Sequence, residues 1–148
     1  MTVVTADLMT MSQSELDDLY KRSFPGAIPN GDGRGTAIIA AGSVLSKSLA
    51  PIVKLLAWRG KFFYADQSFL LNKITPLSLK LIKAQIYRGE SWIDGKETII
   101  LDYSKTSFVA QRIRDEIREV SPGLYLGQAY WGKSRVLNFI LEFSNSLK

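Results

Sequence analysis

The chain has 148 residues, of which 46% are hydrophobic and 22% charged, and its formal net charge is +5 at pH 7. A chain of this length is most simply one globular domain that buries about 68–70% of the surface exposed on unfolding. It contains no cysteine and no histidine, which excludes disulfides, thiolate nucleophiles, histidine-dependent triads and the usual zinc and haem ligands. We expect neither a metal nor a cofactor, because the sequence also lacks a calcium-loop signature.

Basic residues are spread along the chain and interleaved with acidic ones. That pattern is typical of a solvated surface and argues against nucleic-acid binding. The sequence has no apolar run of about 18 residues, so we expect no integral membrane segment. The N-terminal residues lack the basic start and long apolar core of a signal peptide, which favours a cytoplasmic protein. Whether the chain forms a homodimer is left open.

The N-terminal part of the chain carries a helix signal. Ser12 and Glu15 have the spacing of a capping box, and the apolar stripe that follows predicts a helix over Gln13–Arg22. We predict a single domain in which residues 1–34 form this helix and a glycine-rich loop. Residues 35–148 would then form a barrel with one inserted helix.

The glycine-rich loop and the segment after it have two further patterns. Glycines alternate from Gly31 to Gly35, a spacing that fits no phosphate-binding fingerprint. We interpret them as a loop leading into a strand over Thr36–Ala41. Apolar residues three and four apart then predict a helix over Leu49–Ala57.

The rest of the chain has the composition of a β-sheet. Runs of β-branched and aromatic residues separated by turn signals predict strands. These runs are Lys61–Ala65, Leu79–Arg88, Glu97–Tyr103, Leu124–Trp131 and Arg135–Phe143. Short turns connect them at Asp94-Gly95, Ser121–Gly123 and Gly132–Ser134. Strands joined in this way predict a mainly β (α+β) fold, an antiparallel β-barrel with N-terminal helices.

One segment has an ambiguous pattern. The apolar residues Val109, Ile113, Ile117 and Val120 lie four, four and three residues apart. That periodicity by itself favours a helix.

Several short motifs resemble those of the GXWXG-type domain family. They are Ala57–Phe63, Ala84–Glu90, Ile99–Thr106, Arg114–Val120, Leu124–Gly127 and Asn138–Phe143. The resemblance covers about residues 55–143. The Trp-containing motif of the family would fall near Leu19–Pro25, where this chain has Tyr20 and Phe24 instead.

The resemblance implies a lipocalin-like (calycin) barrel and brings no catalytic residues. It also implies that Arg114–Val120 is a strand, preceded by a short helix near Ser107–Gln111. We adopt the strand against the periodicity.

A barrel of this size is either filled by its own side chains or encloses one ligand. The 16 aromatic residues can line a pocket, and polar residues near the predicted mouth can hold an anionic group. The predicted ligand-binding residues are Lys105, Arg112, Arg114, Glu116, Tyr87, Tyr125 and Trp131. Without histidine or cysteine, catalysis would be proton transfer by carboxyl or phenol groups. The predicted catalytic residues are Asp102, Tyr103 and Asp115.

These residues leave three functions open. The first is binding of a small hydrophobic molecule such as a lipid, isoprenoid or polyketide. The second is a cofactor-independent isomerase, cyclase or hydratase acting on a hydrophobic substrate. The third is a protein-interaction module with a filled barrel and an exposed apolar patch. A buried carboxyl or tyrosine inside a pocket would favour the second function.

Overall fold

The computed structural model describes residues 2–38, 58–74 and 79–144. Two helices, α1 (Thr5–Met9) and α2 (Gln13–Arg22), precede the strands. The strands are β1 (Gly31–Ile38), β2 (Trp58–Tyr64), β3 (Phe69–Ile74), β4 (Leu79–Glu90), β5 (Glu97–Asp102), β6 (Ile113–Ser121), β7 (Leu124–Trp131) and β8 (Ser134–Glu142). A short 3-10 helix, Ala65–Gln67, joins β2 to β3.

The strands form a closed antiparallel barrel in which each pairs with its neighbours in sequence. Closure comes from β1 and β8, where Arg34–Ile38 lie opposite Asn138–Glu142. The predicted antiparallel barrel with N-terminal helices is confirmed. The β5–β6 end of the barrel is defined here as the end where β5 passes into β6. The β4–β5 end is the opposite one, where Ser91–Lys96 connects β4 to β5.

Alternation of side chains along the strands divides the buried residues into two cores. The interior core lies inside the barrel and includes Phe63, Leu70, Ile99, Ile117 and Leu141. The outer core lies between α2 and the outside of the barrel, where Leu16, Leu19 and Tyr20 pack with Leu126 and Ile140.

The start of α2 follows from its sequence. The Glu15 backbone N–H donates to Ser12 Oγ over 3.1 Å, and the Ser12 N–H donates to Glu15 Oε1 over 2.9 Å. This capping box satisfies donors that a helix N-terminus leaves free. The helix spans Gln13–Arg22, as predicted.

The alternating glycines belong to β1 rather than to a loop, so the barrel begins at Gly31 and not at residue 35. A Cβ on Gly33 would lie 2.5 Å from the Phe143 ring, and one on Gly35 would lie 2.4 Å from the Trp58 ring. These positions therefore admit two aromatic rings against the strand backbone.

Other predicted elements have mixed outcomes. The segment Ile113–Ser121 is a strand, as the resemblance implied and the periodicity did not. The prediction of a short helix near Ser107–Gln111 is wrong, because residues 109–112 form turns. The strand Phe69–Ile74 was not predicted. The helix predicted over Leu49–Ala57 lies outside the described residues.

Candidate functional site

Four polar side chains meet inside the barrel, closer to its β5–β6 end. Lys61 comes from β2, Asn72 from β3, Asp115 from β6, and Tyr103 follows the last residue of β5. Each residue is between 3 and 5% exposed. We call these four residues the interior cluster. Three of its members lie on strands and the fourth directly follows one, so the barrel as a whole fixes the geometry of the cluster.

Lys61 is the centre of the interior cluster. Its Nζ donates to Tyr103 Oη over 2.6 Å and to Asn72 Oδ1 over 2.8 Å. The same nitrogen lies 3.0 Å from Asp115 Oδ2, forming a buried ion pair. Tyr103 Oη in turn donates to Asp115 Oδ2 over 3.2 Å. The ammonium group therefore has one partner for each of its three protons.

Asn72 is held in one orientation by groups on both sides of its amide. Its Oδ1 also accepts from Trp58 Nε1 over 3.0 Å, and its Nδ2 donates to Tyr103 Oη and to the Ile82 carbonyl, each over 2.9 Å. The Ile82 carbonyl is available because β4 has an irregular register here, with Ile82 at φ 56°. A left-handed conformation is costly for a β-branched residue, so local strain accompanies the placement of this acceptor.

Aromatic rings surround the charged end of Lys61. Its Nζ lies between 5.3 and 5.4 Å from the ring centroids of Trp58, Tyr103 and Phe139. Trp58 and Phe139 also meet edge to face, with centroids 5.8 Å apart. Such rings stabilise a cation through their negative faces. A positive charge is thus held within an otherwise apolar interior.

Burial and charge act in opposite directions on these groups. Burial lowers the pKa of Lys61, but the Asp115 carboxylate and the Tyr103 oxygen together raise it above its ordinary value. Burial raises the pKa of Tyr103 to about 12, although Lys61 lowers it. The site at neutral pH therefore contains an ammonium group beside a protonated phenol.

Three of the residues predicted from the sequence lie inside the barrel, but not all together. Tyr103 and Asp115 belong to the interior cluster. Tyr125 lies toward the β4–β5 end, where its hydroxyl donates to the Ala27 carbonyl over 2.6 Å and its ring packs against Phe143.

Four other predicted residues point outward. Asp102 accepts a hydrogen bond of 2.7 Å from Tyr87 on the barrel surface. Burial alone would raise the pKa of Asp102, but hydrogen bonds from Ser104 and Tyr87 lower it. Arg114 and Glu116 form a salt bridge of 2.8 Å on the outer face of β6. The four residues therefore cannot share a site with Tyr103 and Asp115, because strand alternation separates them.

Glu116 has a structural environment of its own. It is fully buried and accepts from Ser91 Oγ over 2.6 Å, from the Trp92 N–H over 2.9 Å, and from Gln128 Nε2 over 3.0 Å. Tyr20 of α2 also donates to it over 3.3 Å. Glu116 thus joins α2, the β4–β5 connection and β7 to the outside of the barrel.

The remaining predicted residues, Lys105, Arg112 and Trp131, lie at the β5–β6 end and are exposed. Sequence reasoning missed Lys61, Asn72 and Trp58. In β2 both faces carry aromatic residues, Phe62 on one and Phe63 on the other, so alternation did not show which face of the strand is interior. Lysine in such a strand is usually solvent-exposed.

A surface cleft of about 430 Å³ lies beside the N-terminal helices, with Asp7 and Glu15 in its wall. Both carboxylates already accept backbone hydrogen bonds at helix starts. Across residues 2–38, 58–74 and 79–144, no acidic cluster could hold a metal ion. No helix in those same segments is long and apolar enough to cross a bilayer.

Comparison with known proteins supports the fold. No family model matches the chain, and no curated protein matches it. The crystal structure of a protein from Thermomonospora curvata superimposes with a TM-score of 0.60 and 22% sequence identity, over 89% of this chain and 87% of that one. A superposition of this quality at this identity shows a shared fold and no more.

Proposed function

We propose that the barrel binds a small, largely apolar molecule whose oxygen-containing polar group contacts the interior cluster. The observation that carries this proposal is the buried ion pair between Lys61 and Asp115. Replacing a buried ion pair by apolar residues is often neutral or stabilising, so such a pair is weak evidence for a purely structural role. A binding role gives a reason for keeping it.

The chemistry of the cluster defines the ligand class. Lys61, Tyr103 and Asn72 supply N–H and O–H donors that now bond to one another, to Asp115 and to the Ile82 carbonyl. A ligand carbonyl or carboxylate oxygen would take the place of one of those acceptors. The Trp58 and Phe139 rings supply apolar surface beside those donors. A fatty acid, isoprenoid or polyketide combines these two properties. Kinship with the GXWXG-type family is part of the same proposal, supported by two of its motifs, Arg114–Val120 and Leu124–Gly127, lying on the paired strands β6 and β7.

Native mass spectrometry of the purified protein, followed by organic extraction, tests the proposal directly. We expect a stoichiometric apolar passenger with a carbonyl or carboxyl group. The second measurement is titration with a fluorescent fatty acid. Saturable binding of that probe is expected even if purification removes the natural ligand. An apo mass together with an absence of saturable probe binding would contradict the proposal.

Variants separate the interior cluster from general hydrophobic binding. Lys61→Met combined with Asp115→Leu removes both charges. Tyr103 Oη then loses Asp115 as its acceptor but keeps the hydrogen bond from Asn72 Nδ2. We expect probe affinity to fall about tenfold or more, since a hydrogen bond to a charged group contributes about 1.5–3 kcal/mol. Lys96→Met, at the exposed β4–β5 end, is the matched control. Equal affinity in the double variant and the control would show that the cluster does not hold the ligand.

The contact between Tyr103 and Asp115 supports a second candidate, acid–base catalysis on the bound molecule. A carboxylate beside a substrate carbonyl can take a proton from the adjacent carbon and return it to another carbon. Lys61 and Tyr103 would stabilise the negative oxygen formed in between. Incubation of the extracted ligand with protein in deuterated water tests this function, because deuterium incorporation requires the Asp115 carboxylate as a base, whereas binding alone exchanges no carbon-bound hydrogen.

A further inference from the structure

We propose that the β5–β6 end of the barrel is a docking surface for an anionic membrane. The inference does not depend on a ligand inside the barrel, because it stands on exposed residues alone. Phe108 and Val109 are 88 and 73% exposed at the tip of the β5–β6 loop. Leu79, Leu81 and Trp131 are each about half exposed at the same end. Half of the exposed large hydrophobic residues in the described segments are therefore found here.

Hydrogen bonds show that these segments form one surface. Thr106 in the β5–β6 loop donates to the Lys83 carbonyl of β4. On the other side of the loop, the Gly132 N–H of the β7–β8 turn donates to the Arg112 carbonyl over 2.9 Å. The loop is thus joined to β4 and to the β7–β8 turn. We call residues 79–83, 103–112 and 131–133 the docking surface.

The inward face of the strands also reaches this surface. Leu81 lies opposite Asn72 of the interior cluster, and Leu79 lies opposite Ile74. Trp131 lies opposite Ile113, which packs against the interior core. The half-exposed side chains therefore continue the interior wall of the barrel to its rim.

The charge of the docking surface is of one sign. Its charged residues are Lys80, Lys83, Lys105, Arg112 and Lys133, and residues 79–83, 103–112 and 131–133 contain no aspartate or glutamate. The nearby Asp102 already accepts from Tyr87 and from the Ser104 N–H. The opposite end of the barrel carries both signs of charge, with Asp66, Glu90, Asp94 and Glu97 beside Arg88 and Lys96.

This combination favours a membrane over a second copy of the chain. Two docking surfaces brought face to face would place lysines and arginines against each other, which is unfavourable. An anionic leaflet attracts each of those cations. Phenylalanine, tryptophan and leucine beside cations are typical of segments that enter the interfacial region of a bilayer.

Co-sedimentation with vesicles tests the proposal. We expect the protein to bind vesicles of equal parts phosphatidylcholine and phosphatidylglycerol, and not vesicles of phosphatidylcholine alone. Salt should weaken this binding, because it screens exposed charges. Binding to neither vesicle at low salt would overturn the proposal, and so would a dimer in analytical ultracentrifugation that Phe108→Ser abolishes.

Two pairs of variants locate the contact. Phe108→Ser should reduce the vesicle partition coefficient about tenfold, because the ring no longer leaves water. The control is Phe24→Ser, which removes an equally exposed ring outside the docking surface. Lys105→Glu combined with Arg112→Glu should reduce the vesicle partition coefficient about 30-fold or more. The control for this variant is Lys21→Glu on α2. Equal losses in the variants and their controls would refute a contact at this end.

Discussion

Two neighbouring carboxylates on β6 have opposite surroundings. Asp115 points into the barrel, where it pairs with Lys61 and accepts a hydrogen bond from Tyr103. Glu116 points outward and accepts hydrogen bonds from α2, from the β4–β5 connection and from β7. Both are buried. Burial of a carboxylate therefore does not by itself identify a functional site. The elements that the carboxylate connects distinguish a functional role from a structural one.

The largest expected effect concerns the outward carboxylate. Glu116→Ala should lower the free energy of unfolding by about 3–5 kcal/mol, because it removes the carboxylate partner of Arg114 and the acceptor of the Trp92 N–H and Gln128 Nε2. Urea unfolding monitored by circular dichroism measures this change. Glu97→Ala, on the exposed edge of β5, serves as control. A loss below about 1 kcal/mol would show that Glu116 does not hold the outer elements together.

A smaller effect is expected from pH at the interior cluster. Tyr103 has a folded-state pKa of about 12 against an ordinary value of 10.0. The unfolded chain therefore loses this proton first, and stability is complete below pH 10 and falls as pH rises toward 12. Lys61, whose pKa is also raised, acts in the same direction.

The contribution of Tyr103 to this pH dependence is about 2–3 kcal/mol. The free energy of unfolding is measured between about pH 9 and pH 12, a range that brackets loss of the Tyr103 proton. It should fall less steeply with pH in Tyr103→Phe than in the unmodified protein. Tyr87→Phe, at the exposed surface, is the matched control. If stability falls equally steeply with pH in Tyr103→Phe and in the unmodified protein, the raised pKa of Tyr103 is contradicted.

The smallest effect on stability is expected from removing the interior ion pair as a whole. Lys61→Met with Asp115→Leu should leave the unfolding free energy within about 1 kcal/mol of its original value or raise it. Each single substitution should cost more, since it leaves one buried charge unpaired. A double-mutant cycle in urea measures the coupling. If the double variant is less stable than either single variant, the ion pair has a structural role. Asp115 and Glu116 would then not differ in function.

Local sequence signals accounted for much of the fold. The capping box fixed the start of α2, and turn residues bounded β7, so both elements have their predicted limits. The signal failed for β3, where Phe69–Ile74 shows neither alternation nor a bounding glycine or proline at its start. For β6, helical spacing of the apolar residues coincided with a strand, because pairing with β5 and β7 overrides local periodicity.

The candidate site was predictable only in part. Tyr103 and Asp115 stood out as polar residues beside a strand end, but Asp102 and Glu116 stood out equally. Distinguishing them required the register of β5 against β6, which places Asp102 opposite Arg114 and Leu101 opposite Asp115. Lys61 is more than 40 residues from Tyr103 in the chain, and only barrel closure brings the two together.

The pairing of β1 with β8 has a consequence for synthesis of the protein. Arg34 leaves the ribosome long before its partner Glu142 has been made, and α2 meets its partners on β7 and β8 late as well. Contacts this distant in sequence form slowly. The nascent chain therefore carries a first strand with one unpaired edge and an uncovered apolar helix face until translation is nearly complete. During that interval, shielding by ribosome-associated chaperones would limit aggregation.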